Sequence, residues 1–261
     1  MSITELIDLV TRPHVSHQLN HYSYTIHHKT SQRELFDFLY QFIILSFGFA
    51  PVALVLFLVQ VFPGAPRSSQ SADLLGDENF FDAESKEIKA PNPLGFDGAH
   101  RCRDFSTGMG LAALIGLPGL ALYFGAVSLG LNVRVVPTNL NAVAWWVTPL
   151  LLIFSLKTAM LEELTMIAYT FHRLKQAGWR FPLVLGFTAV FRGSYHLYQG
   201  YGGFVGNVIM GCIFGLFFRR YGRVLPLIVA HFLIDGVAFV GYAWAMHFFP
   251  ELVTRIVVGV Q

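Results

Sequence analysis

Charge is scarce in this chain. Of its 261 residues only 13% are Asp, Glu, Lys or Arg, about half the roughly one-quarter share of an average soluble domain. So little charge cannot cover the outside of a soluble fold of this size. Cysteine is nearly missing as well. Cys102 and Cys212 lie far apart, which excludes a disulfide framework, a metal knuckle and a thioredoxin-type pair. The net charge is only +2 with no basic tract, which argues against a nucleic-acid partner. The opening MSITELIDLVTRPH has no compact apolar core behind a basic start, so no cleaved signal peptide is expected there. HExxH, the usual soluble zincin signature, is absent. What is present is apolar: 54% of residues are hydrophobic, 25 are Phe, and the mean hydropathy is +0.53. An integral membrane protein is the expectation, with the lipid bilayer as its first partner.

The apolar runs predict an all-α membrane protein of about six transmembrane helices, with broken or interfacial helices able to add to that number. The spans fall near 36–63, 106–131, 141–171, 182–199, 203–218 and 224–249. Pro51 predicts a kink in the first. The third is too long for the hydrocarbon layer, so it must tilt, break or project. Gly211 and Gly215 form a small-xxx-small step suited to close helix packing. Three regions follow: a polar tail over 1–34, a two-helix region over 35–135 with a soluble loop at 64–104, and a helical core over 141–250. The tail carries His14, His17, His21, His27 and His28, whose spacing fits no ligand template and reads as solvated. A short amphipathic stretch, 4–10, suits the membrane surface.

Lys and Arg set the orientation. The loops 172–181 and 219–223 hold three each, and 64–104 holds five. The opposite side holds five: Arg12, Lys29, Arg33, Arg134 and Arg255. Both termini are therefore expected to face away from the cytoplasm.

Seven ionisable residues nevertheless fall inside spans: Lys157, Glu162, Glu163, Arg192, His196, His231 and Asp235. Each costs about 2.5–3.5 kcal/mol at mid-bilayer on insertion scales. Such groups turn inward and pair, and seven on the last four spans point to a functional cluster there. His231 and Asp235 share a helix face, as do Arg192 and His196. Glu162 and Glu163 stand about 100° apart around their helix, so one can face a reaction centre while the other holds a supporting contact. A Glu with two His can run hydrolysis in two ways. The carboxylate can act as general base on water, or the set can ligate a divalent cation that activates the water.

The same residues carry a family resemblance. Residues about 142–245, some two fifths of the chain, resemble the CPBP family, the type II CAAX prenyl endopeptidases and their bacterial relatives, including immunity-type proteins. The family pattern is Glu-Glu-xxx-Arg, Phe-xxx-His and His-xxx-Asn/Asp. Glu162-Glu163, His196 and His231-xxx-Asp235 match it, and RGSYHLYQGYGGFVGN followed by AHFLID looks like a bacterial subgroup. The resemblance implies a bacterial plasma-membrane protease. Glu162 would be the general base and His196 would position the water. His231 and Asp235 would stabilise the oxyanion or complete a metal site. Glu162, His196 and His231 would be the ligands if a divalent metal such as zinc is used, though the base mechanism needs no cofactor. Ionised Asp235 can only accept hydrogen bonds, so it would have to orient His231, bind a cation or stay protonated.

Two positions depart from the pattern. Ile167 stands where the motif has Arg, and Arg192 where it has Phe, with Phe191 one place earlier. The two departures are expected to be linked, with Arg192 supplying the supporting cation to Glu163. The implied client is a membrane-associated protein or peptide. The runner-up is a catalytically silent scaffold or immunity-type protein of the same fold. An ion-coupled transporter is disfavoured by the lack of a visible inverted repeat.

Overall fold

The computed structural model describes residues 19, 23–62, 94 and 100–258. The 4–10 segment, His14, His17, His21 and most of the 64–104 loop lie outside them. Helices dominate. The first span is α1 (Glu34–Gly48) and α2 (Ala50–Val61). The chain divides at Phe49 rather than kinking at Pro51, which sits in the first turn of α2, where its missing N–H is not needed. α3 runs over Arg101–Ser128. The third span is one unbroken rod: α4 (Val147–Glu162), a π segment (Glu163–Tyr169) and α5 (Thr170–Gln176). Then come α6 (Phe181–Tyr195), α7 (Tyr201–Tyr221), α8 (Leu225–Phe248) and the short α9 (Pro250–Val258). Prolines at the starts of α6 and α8 set their first turns. Gly222, at φ 63°, ends α7 in the left-handed conformation.

Four stretches are long and apolar enough to cross a membrane: Glu34–Val61, α3, α7 and α8. Their outward faces stay apolar, with Leu114 and Leu117 of α3 64% and 71% exposed. Water would not tolerate such a stripe, but hydrocarbon does. The α4–α5 rod and α6 lie between α3 and α7 in the chain.

The all-helical expectation needs one amendment. β1 (Ser23–His27) and β2 (Arg134–Thr138) form a two-stranded parallel sheet, Ser23 facing Arg134 and His27 facing Thr138. SYTIH and RVVPT are rich in β-branched residues, and Pro137 is tolerated because each strand of a pair is an edge. Asn139 N and Thr138 Oγ1 both donate to the His27 carbonyl, at 3.1 Å each. Part of the predicted polar tail is thus an ordered strand. Parallel pairing requires a crossover, and here it is α1–α2 out and α3 back.

This pairing sorts the chain ends. Asn132 bridges to Gly200, and α9 packs on β2. The sheet, the α6–α7 turn and α9 therefore share one side, with the α5–α6 and α7–α8 turns on the other. Arg223, counted above among loop cations, is buried and bonded bidentately to Asp104 at the start of α3, at 2.8 and 2.6 Å. With native cysteines replaced, single cysteines at Gln176 and Tyr221 should label from one face of sealed vesicles and Ser31 from the other. Labelling of Gln176 and Tyr221 from opposite faces would contradict the two passes between them.

Candidate functional site

α6 and α7 pack closely because α7 offers glycine where they meet. A Cβ on Gly211 would stand 3.0 Å from the Ala189 Cα and 3.4 Å from the Arg192 Cδ. Gly215 faces Leu185 and Phe171. This approach buries Arg192 almost completely, at 1% exposure. Its guanidinium lies over the Phe214 ring, 5.5 Å from the centroid, with Nη2 3.8 Å from Met210 Sδ.

That guanidinium is the hub of the site. Nη1 donates to Glu163 Oε1 at 2.8 Å, and Nη2 lies 3.2 Å from Glu162 Oε2. The two adjacent carboxylates, splayed around their helix, straddle one planar cation whose fork geometry suits two partners. Glu163 is fully buried, whereas the Glu162 side chain keeps 14% exposure. Lys157 does not pair with Glu163. Ile167 is buried in the cluster that contains Met210 and Phe214, the same side chains that cradle Arg192. The position that carries Arg in the family pattern thus borders the pocket where Arg192 arrives from α6.

The rod changes winding at the site. Glu163–Tyr169 is π-helical, with Thr170 Oγ1 donating to the Thr165 carbonyl at 2.7 Å. π segments are wider than α and recur at functional sites; nothing in the sequence marked this one.

His231, one and a half turns into α8, closes the cluster. Its Nδ1 lies 2.8 Å from Glu163 Oε1 and 3.2 Å from Arg192 Nη2. Its Nε2 lies 3.5 Å from Asp235 Oδ2, too long for a full hydrogen bond. His196 stands apart from this core. It caps the C-terminus of α6, and its Nδ1 is 3.0 Å from the Arg192 carbonyl. As Nδ1 is then the donor, Nε2 carries the lone pair. α6 ends at Tyr195 instead of running on to 199. Tyr195, not anticipated, donates its hydroxyl to Glu162 Oε2 at 2.9 Å. Glu162 Oε1 accepts from no described residue.

The expected ligand set for a metal was Glu162, His196 and His231. The groups that converge are instead Glu162, Glu163 and His231, with ligand atoms within 4.8 Å of one another. These residues do not fit a divalent cation in this arrangement. Arg192 already supplies the positive charge between the carboxylates, and Glu163 Oε1 and His231 Nδ1 are bonded to each other. Chelator is expected to leave activity unchanged in protein purified without it. One equivalent of zinc by elemental analysis, lost together with activity on chelation, would reverse this reading.

An acid–imidazole cluster enclosed by membrane-spanning helices defines the class, an intramembrane protein with the polar groups of a hydrolase. Residues 144–237 match the family model described as type II CAAX prenyl endopeptidase Rce1-like, a match that supports a relationship of that helical core to the CAAX proteases. The match spans all seven intramembrane ionisable residues. No curated protein and no solved structure matches the chain. The family supports intramembrane endopeptidase activity in general, a peptide substrate and a membrane setting.

Proposed function

We propose that the protein hydrolyses a peptide bond of a membrane-associated protein or peptide, using water activated by Glu162. The carrying observation is the asymmetry of the two carboxylates. Glu163 is sealed, with its Oε1 bonded to Arg192 and His231 and its Oε2 buried out of reach, whereas Glu162 is partly accessible. A base must reach the proton it removes, and only Glu162 can.

In the proposed reaction His196 Nε2 accepts a hydrogen bond from the attacking water and holds it. The water oxygen bonds to the scissile carbonyl carbon, and its proton passes to Glu162 Oε1. Charge develops on the carbonyl oxygen, and His231, whose Nδ1 already donates to Glu163, acts as the imidazolium and donates to it from Nε2–H, which Asp235 orients but holds loosely. This is the role of a preset donor at a developing oxyanion. The C–N bond then breaks, and the proton on Glu162 passes to the leaving amine, giving a carboxylic acid and an amine. Arg192 and Glu163 position the two Glu162-side and His231-side groups without touching substrate. A bacterial plasma membrane is the proposed setting, on the resemblance of RGSYHLYQGYGGFVGN and AHFLID alone.

The test is purified full-length protein in lipid vesicles with a panel of lipid-anchored peptides, products read by mass spectrometry in ¹⁸O-labelled water. One ¹⁸O in the new carboxylate is the expected result. Absence of cleavage across the panel would favour the silent-scaffold reading.

A further inference from the structure

The starts of α3 and α8 leave a cleft between them that the acid–imidazole cluster does not use. A Cβ on Gly108 of α3 would stand 2.6 Å from the Val229 Cβ and 2.8 Å from the Pro226 carbonyl oxygen, so the two helices touch at that level. Arg101 lies seven residues earlier, about 10 Å beyond the contact at 1.5 Å per residue. The first two turns of α3 therefore overhang the start of α8. Arg223 holds the overhang to the α7–α8 turn through its bidentate bond to Asp104, at 2.8 and 2.6 Å. Between the overhang and α8 lies a cleft of about 550 Å³, lined by Arg101, Cys102, Phe105, Leu225 and Val229. That volume is within the range of small-molecule sites.

The lining is apolar except for Arg101 at its outer end. Arg101 is exposed and pairs with no described residue, whereas the charge of Arg223 is spent on Asp104. The 28 residues of α3 measure about 42 Å. The hydrocarbon layer is about 30 Å thick, and about 40–45 Å with its headgroup regions. Arg101 thus stands at headgroup level, with the apolar walls leading from it into hydrocarbon. Neither helix start carries a side-chain cap, so two positive dipole ends favour the same anion as Arg101 does. We propose that this cleft holds one anionic phospholipid, with its phosphate on Arg101 and an acyl chain along Phe105, Leu225 and Val229. A dissolved phosphate would meet Arg101 but leave the apolar walls uncovered. A zwitterionic headgroup would bring its own cation towards the same positive end. The site lies outside the cluster of Glu162 and His231 and does not depend on the hydrolase reading.

Cys102 lines the cleft and is exposed, so its thiol reports occupancy without turnover. Full-length Cys212→Ala protein, delipidated in dodecyl maltoside, is labelled with an uncharged maleimide while phosphatidylglycerol, phosphatidylcholine or inorganic phosphate is titrated in. Phosphatidylglycerol should half-protect Cys102 at a concentration at least about tenfold below phosphatidylcholine, a difference of about 1.4 kcal/mol. Arg101→Gln should bring the two lipids level, and Arg101→Lys should keep part of the preference. Arg103→Gln, which changes a neighbouring cation outside the lining, should leave the preference intact. Equal protection by the two lipids with Arg101 present, or none by either, overturns the proposal. Loss of the preference in Arg103→Gln as in Arg101→Gln would assign it to general surface charge, and protection by inorganic phosphate would assign the site to a free anion; both overturn it. The wild-type chain gives a second reading that needs no substitution. Native mass spectrometry should show one phosphatidylglycerol retained per chain, and either no retained lipid or an even ladder of several would also overturn it.

Discussion

Replacing Glu162 by Gln is expected to lower peptide hydrolysis by about 10²–10⁴-fold, the usual contribution of a positioned general base. Gln keeps the size of the side chain and can still accept from the Tyr195 hydroxyl, which reaches Glu162 Oε2 at 2.9 Å. Arg192 keeps its 2.8 Å bond to Glu163, so its charge stays compensated. The thermal midpoint in detergent should therefore hardly move, and KM should change less than kcat. The matched change Glu163→Gln is expected to act differently. It removes the negative charge that Arg192 and His231 share, so stability should fall along with rate. A Glu162→Gln protein that cleaves at the wild-type rate would remove Glu162 from the role of base.

Arg192→Leu should have the largest effect on stability. Truncating one partner of a buried ion pair typically costs about 3–5 kcal/mol, because the other charge is left uncompensated. Here Glu163 is fully buried, and its other close partner is the His231 imidazole. The change should lower the unfolding midpoint strongly and abolish activity. The paired change Arg192→Phe with Ile167→Arg should recover much of both, because position 167 borders the Met210 and Phe214 pocket. Recovery will be incomplete, as Arg is larger than the Ile it replaces. An Arg192→Leu protein that unfolds and cleaves normally would show that the guanidinium is not the support of the site.

The parts of this molecule that obey a one-dimensional pattern were legible. Hydropathy located the apolar helices, four of them long enough to cross a membrane, and the cost of charge in hydrocarbon singled out Glu162, Glu163, Arg192, His196, His231 and Asp235. The pairing of Arg192 with Glu163 followed from two coupled departures, Ile167 and Arg192, from one motif. What escaped depends on contacts between distant segments. SYTIH is too short to stand out as a strand until RVVPT lies beside it, and without that pairing His27 reads as one of five tail histidines. Tyr195 resembled an ordinary aromatic near a helix end, since its hydroxyl acquires meaning only when α4 brings Glu162 to 2.9 Å. The π segment left no mark, because ELTMIAY is as compatible with α winding. Lys157 was visible as a buried cation, but its lack of a partner is a fact of three dimensions. The metal set drawn from sequence included His196 because the motif does, whereas the backbone carbonyl of Arg192 holds that ring to one side.

The parallel pairing of β1 with β2 also has a consequence for biogenesis. Ser23 is joined to Arg134 and His27 to Thr138, so each strand residue waits for a partner 111 positions later. At about 5–20 residues per second of synthesis, that wait is on the order of 6–20 s. During it, α1, α2 and α3 have left the ribosome while β1 still has a bare edge. A short strand survives this interval better than a long one, because a long unpaired edge invites pairing with other chains. The five residues of β1 are thus suited to a delay that the membrane crossings impose.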